Sequence, residues 1–180
     1  MSGSKARWTR VASLTMFLVV ASGTGALAHN IYNGWLDVWS DGARCLNEKV
    51  STDHPAYHPD GLWMVEGNAE KPTNTPIGTI NCNTGWVRPA NWLREWEVVK
   101  FKLTLSSAES VCMSSPQWTY NNVDSNYMRI WYEDNAAPPP CGAGYYHTRG
   151  NVQMSTDSSW ASGHYVGGPM ENTEWHYLPV

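Results

Sequence analysis

The sequence predicts an all-β fold, a small disulfide-stabilised β-sandwich or open barrel of short antiparallel strands. Three observations point there. Apolar runs of strand length are separated by turn signals at intervals of about ten residues. No stretch keeps a helical period over the length of a helix. Four cysteines, an even number at wide spacings, suit a chain that staples loops in an oxidising compartment.

Taken in order, His29 to Ser40 (HNIYNGWLDVWS) puts Tyr32, Leu36 and Val38 on one parity and Ile31, Trp35 and Trp39 on the other. Apolar faces on both sides predict a strand covered twice, or an extended arm able to add to a partner's sheet edge or lie in its cleft. Residues 41–61 are rich in turns. Within them, Pro55 and Pro59 exclude the helix on which His54 and His58 would share a face, so a rigid surface loop is expected. Leu62 to Glu66 reads as a short strand, Gly67 to Pro76 as a polar loop, and Ile77 to Cys82 with Gly85 to Arg88 as short strands around an Asn-Thr-Gly turn.

Asn91 to Ser106 is the longest run without a breaker. Val99, Phe101, Leu103 and Leu105 alternate with Lys100, Lys102 and Thr104, which predicts a central half-buried strand. Trp92 and Trp96, four apart after Pro89, predict a short helix or turn leading into it. Val111 to Met113 is a short strand, Asn121 to Asn126 a turn, and Tyr127 to Glu133 a clear alternating strand. Pro138 to Pro140 stiffen a loop, and short strands follow near Tyr145 to Thr148, Asn151 to Ser155, His164 to Val166 and Glu174 to Leu178.

The first 28 residues have the plan of a secretion signal: Lys5, Arg7 and Arg10, the apolar core Val11 to Ala21, and the cleavage site Ala26-Leu27-Ala28. Cleavage there leaves 152 of the 180 residues, a single β-rich domain (29–180) whose extended N-terminal segment is 29–40. The signal carries three of the twelve basic residues and none of the sixteen acidic ones, so the mature charge is nine minus sixteen, or −7. An acidic chain without clustered Lys and Arg has no electrostatic footprint for nucleic acid, and no later segment is apolar enough to span a membrane. The expected location is extracellular. Cys45, Cys82, Cys112 and Cys141 lie in the mature part without a Cys-x-x-Cys pair, which removes the basis for a zinc site. Of the three connectivities, sequential pairing of Cys45 with Cys82 and Cys112 with Cys141 staples neighbouring hairpins without crossing, and is the one expected.

No motif names a reaction. A mature N-terminal His29 would offer its amine and its ring to copper, and chains of secreted copper-dependent polysaccharide monooxygenases are similar in starting with histidine on a disulfide-bonded β-sandwich. A copper oxidase would need His147, His164 or His176 as partner and Tyr146, Tyr165 or Tyr177 near an axial position. Glycoside hydrolysis would need facing carboxylates, for which Glu95 with Glu97 and Glu171 with Glu174 are the candidates, and solvated sheet faces explain them equally well. No serine occupies a Gly-x-Ser-x-Gly elbow. No catalytic centre and no cofactor are expected.

Binding remains. Removal of the signal leaves ten Trp, nine Tyr and one Phe, a composition suited to half-buried positions and interfaces. Trp118 and Trp160 sit in polar, turn-like contexts (PQWTY and SSWAS) and are candidate exposed rings, while Ile31, Tyr32, Trp35 and Trp39 form the candidate contact surface of the N-terminal segment. In plan, the chain resembles the small secreted β-rich proteins of actinobacteria, a group that includes adaptor subunits of umbrella toxin particles. That resemblance implies a protein-binding adaptor or assembly subunit of an extracellular complex; a carbohydrate-binding module or lectin is the alternative. On the adaptor reading, deleting Ile31 to Trp39 should abolish partner capture and leave both disulfides and the thermal transition nearly intact.

Overall fold

A computed structural model of the chain describes residues 29–32, 34–54, 61–115, 117–134, 140–168 and 171–178. Its strands, in chain order, are β1 (His29–Tyr32), β2 (Leu36–Ser40), β3 (Cys45–His54), β4 (Gly61–Thr75), β5 (Gly78–Gly85), β6 (Leu93–Lys102), β7 (Ser110–Ser114), β8 (Thr119–Tyr120), β9 (Tyr127–Asp134), β10 (Gly144–Ser155), β11 (Tyr165–Val166), β12 (Glu171–Asn172) and β13 (His176–Leu178). There is no helix among the described residues, and the strands form two antiparallel sheets, as the sequence predicts.

Each sheet is built on a long central pair. In the first, β3 and β4 pair at the centre; β2 and β1 follow one another along the outer side of β3, while β9 and β5 share the far side of β4. In the second, β6 and β10 run in unbroken register from Leu93↔Met154 to Lys102↔Tyr145. There β8 and β7 flank β6, and β13, β12 and β11 flank β10.

The period of two decides what lies between the sheets. Leu93, Glu95, Glu97, Val99 and Phe101 share one parity of β6 and turn inward, opposite Leu46, Glu48 and Val50 of β3 and Trp63 and Val65 of β4. Two apolar clusters result. One gathers Leu46, Val50, Val65, Leu93, Val152 and Met154; the other gathers Trp63, Val99, Tyr146 and Leu178. Along β6 and β10 the residues between these clusters are polar or small, namely Glu95, Glu97, Thr148 and Gly150.

Two disulfides join Cys45 to Cys82 and Cys112 to Cys141, the expected pairing, with Cα separations of 5.5 and 5.8 Å. The first ties β5 to the start of β3, where the Cys82 and Asn81 amides also donate to Ala43 O and Gly42 O. Beyond that anchor the β4–β5 hairpin is a largely exposed arm with Ile77 bare at its tip.

Several boundaries differ from the sequence expectation. The central strand starts at Leu93 rather than Val99 and ends at Lys102, because residues 103–107 turn back and leave Leu103 and Leu105 exposed. Of the short helix or turn expected before it, the turn is what is found at residues 90–92, while Trp96 lies within β6 itself. The expected loop from Gly67 to Pro76 is mostly strand: β4 continues through Pro72, and a register shift between Lys71 and Thr73 absorbs the missing N–H. Asn83 and Thr84 lie within β5, and the two strands expected between Tyr145 and Ser155 are the single β10. The His54–His58 loop falls largely outside the described residues, although β3 itself runs through His54.

Candidate binding surfaces

The edge strand β9 is the first surface. Its eight residues pair with β4 from Asn68↔Tyr127 to Gly61↔Asp134 without a register shift, and among the described residues no strand covers its other side. It contains no proline and carries exposed Tyr127 and Trp131 on its outer face. Arg129 lies 4.6 Å over the Trp131 ring and splints it. Two clefts run beside the strand: one of about 280 Å³ bounded by Ser115, Thr119 and Arg129 to Tyr132, and one of about 310 Å³ running from Thr119 past Val123 to Tyr127 and Arg129. Thr119 and Arg129 belong to both, so the two make one groove between β9 and the β8 side of the other sheet.

The outer face of the second sheet holds the second surface. Arg94 points out of β6, donates to Gln153 Oε1 from Nε and Nη2 at 2.9 and 2.5 Å, and lies over Trp118 at 4.3 Å, Trp160 at 4.1 Å and Tyr165 at 4.9 Å. The sequence candidates Trp118 and Trp160 are thereby brought together, half-buried, around one guanidinium. Trp160 also donates its indole N–H to Asn91 O at 3.1 Å and meets Tyr120 edge-on at 5.5 Å. With Trp92, Asn91, Ala90 and Ser158 these two rings line a cleft of about 400 Å³. Trp92, Tyr120, Asn91 and Ser158 were not candidates from the sequence; the signal they carried was only a Trp after Pro-Ala-Asn and a Ser in a turn.

The N-terminal candidates are split. β1, which contains Ile31 and Tyr32, pairs with β3 from His29↔His54 to Tyr32↔Ser51, and β2 pairs along the other half of β3. The segment is therefore paired within its own sheet. Trp39 packs partly buried against the core beside Val38, while Trp35 is 45% exposed and Leu36 stands out with it.

Glu95 and Glu97 are not on a solvated face. Both are fully buried between the sheets with Glu48. Burial, with Glu48 and Glu97 nearby, raises the Glu95 carboxyl well above the usual range; burial alone pushes Glu97 up to about 9. Neither Glu97 oxygen has a hydrogen-bond partner among the described residues. At about 9, Glu97 keeps its proton at pH 7, and both carboxyls are buried away from any substrate. Of the other hydrolytic candidates, Glu174 is exposed, and the Glu171 side chain lies outside the described residues.

The histidines named for copper are spread over the second sheet. His147 stacks on Trp175 at 3.9 Å and is lowered to about 4, chiefly by burial; His164 bonds Asp157 at 2.6 Å in an exposed loop; His176 is buried on β13. The residue opposite His29 in the strand register is His54. Among the described residues no group of three or more His, Cys, Asp or Glu is gathered to hold a metal.

Fold and surfaces together define a disulfide-bonded antiparallel sandwich with a long open edge and an aromatic outer face. Comparison with protein-family models, with curated proteins and with solved structures finds no match.

Proposed function

We propose that this is a secreted, non-catalytic binding protein, an adaptor that joins an extracellular complex by accepting an extended segment of a partner protein along β9. The observation that carries the reading is the regular edge of that strand, which no other strand covers among the described residues. Soluble proteins blunt their edges with prolines, bulges or short strands, because a row of unpaired N–H and C=O groups recruits other chains. The other flanking strands here conform: β2, β5 and β7 have register shifts, and β1, β8, β11, β12 and β13 have at most four residues. β9 has none of these devices. Among the described residues no strand pairs with its outer side, where the Ile130 backbone meets the Glu95 carboxyl, and such an edge fits one kind of occupant, another strand, with the groove taking every second side chain. The two disulfides accord with an oxidising compartment, as does the secretion signal.

The test is size-exclusion chromatography with mass spectrometry on tagged protein from its own culture supernatant, followed by hydrogen exchange. A stoichiometric partner should co-elute and slow exchange of the β9 amides, and Arg129→Glu/Trp131→Glu should release it at unchanged circular dichroism. Elution of the wild-type chain as a monomer, or a partner that leaves β9 exchange unaltered, overturns the reading.

A further inference from the structure

We infer that the cleft between Trp92, Tyr120 and Trp160 is a carbohydrate site that takes a neutral pyranose unit, a ligand separate from the strand accepted at β9. At about 400 Å³ the cleft falls within the size range of small-molecule sites, about 300–1,000 Å³. Its lining is three aromatic rings, one amide, one hydroxyl and Ala90, with no Lys, Arg, Asp or Glu. That composition has nothing to neutralise a phosphate or a carboxylate. It suits a ligand with C–H faces for the rings and hydroxyls for the polar groups.

The rings are held ready. Arg88, itself buried and bonded through Nη2 to Ser155 O at 3.1 Å, lies 4.6 Å over Trp92, and Arg94 lies 4.1 Å over Trp160. Each indole thus has one face covered by a guanidinium while its residue also borders the cleft. The walls are equally fixed. Asn121 accepts from Leu93 N–H at 2.7 Å and donates to Pro89 O at 2.9 Å, and Asn91 N–H donates to Asn121 O at 2.7 Å. On the other side, Asp157 accepts from Ser159 N–H at 3.0 Å and holds His164 at 2.6 Å, while Thr156 N–H closes the loop on His164 O at 2.9 Å. A site built in advance spends little binding energy on ordering itself.

Two backbone positions separate a ligand role from mere packing. Asn91 and Ser158, the amide and hydroxyl of the lining, have φ values of 65° and 71°, the left-handed region where glycine would be unstrained. Both side chains are exposed at the cleft, where a ligand can reach them. A sugar hydroxyl can hydrogen-bond to each.

The experiment is an NMR titration of the oxidised mature chain with cellohexaose, xylohexaose and chitohexaose, following the indole N–H signals. At millimolar sugar at least one of the three should shift the Trp92 and Trp160 resonances saturably. Asn91→Gly/Ser158→Gly should remain as stable as the wild type or more so, and bind that sugar about tenfold more weakly, while Trp92→Ala removes binding. Indole signals unmoved by all three sugars, or an undiminished affinity in the folded double-glycine variant, overturn the inference.

Discussion

Gly67 and Gly150 sit at close approaches between the sheets, and both face carboxyl groups. A Cβ on Gly67 would stand 2.6 Å from Val152 Cγ1 and 2.8 Å from Glu95 Oε1; on Gly150 it would stand 2.4 Å from Glu48 Oε1 and 2.8 Å from both Val65 methyls. Each glycine is a notch in one sheet for a glutamate that crosses from the other. Gly67→Ala and Gly150→Ala are each expected to cost about 1 to 3 kcal/mol by overpacking, read as a lowered urea midpoint at unchanged m-value. Arg94 is a second sensitive point. Arg94→Lys keeps the charge but loses the planar fork on Gln153 and the flat stack against Trp118 and Trp160, so a loss of about 1 to 2 kcal/mol with a weakened near-ultraviolet tryptophan signal should follow.

At the scale of elements, the alternation that builds β6 also creates a pH dependence. Glu95 and Glu97 have folded pKa values raised above the ordinary glutamate value, to about 9 for Glu97. The folded state therefore keeps protons that the unfolded chain has already released. For Glu97 that contribution is fully present below about pH 4.5 and is lost as pH rises towards 9, at about 1.4 kcal/mol per pH unit, and Glu95 acts in the same direction. His147 works in the opposite sense: held neutral down to about 4, it contributes above about pH 6.5 and loses its contribution as pH falls. Thermal midpoints should thus decline between pH 7 and 9, where His147 no longer titrates, and Glu97→Gln should flatten that decline; a wild-type midpoint constant over this range would refute the assignment. Much of this was legible. Leu93, Glu95, Glu97, Val99 and Phe101 share one parity, and extending the pattern of Val99 and Phe101 backwards would have placed both glutamates inside. The indole pair Trp92 and Trp96 masked it by suggesting a helical turn. Pro72 hid the length of β4 in the same way, since a proline at a bulge and a proline in a loop look alike in sequence.

For the molecule as a whole, pairing of β1 and β2 with β3 changes what a truncation does. Deleting Ile31 to Trp39 removes Val38 and Trp39 from the core and bares the edge of β3, so the expected result is a clearly lowered thermal midpoint, contrary to the intact transition that a free arm would allow. The all-β class and the disulfide pairing could be read from local pattern and cysteine spacing, each a property of neighbouring residues. The cleft could not, because it joins Trp92 and Trp160 from two separate loops with Tyr120 of β8, and only the pairing of β6 with β10 and β8 brings the three together.

That register has a further consequence through Cys112–Cys141. The chain between Lys102 and Tyr145 must close on itself before β6 can meet β10, and the disulfide lies inside this interval. Once it forms, the path shortens from roughly forty residues to roughly fifteen, and the entropy of bringing the two strands together falls with it. The bond is in this sense a ruler for assembly as well as a staple. Refolding of the oxidised chain should outpace that of the reduced chain, and the second sheet should be the one that gains. A cell making this protein would do well to oxidise Cys112 and Cys141 before the long strands search for each other.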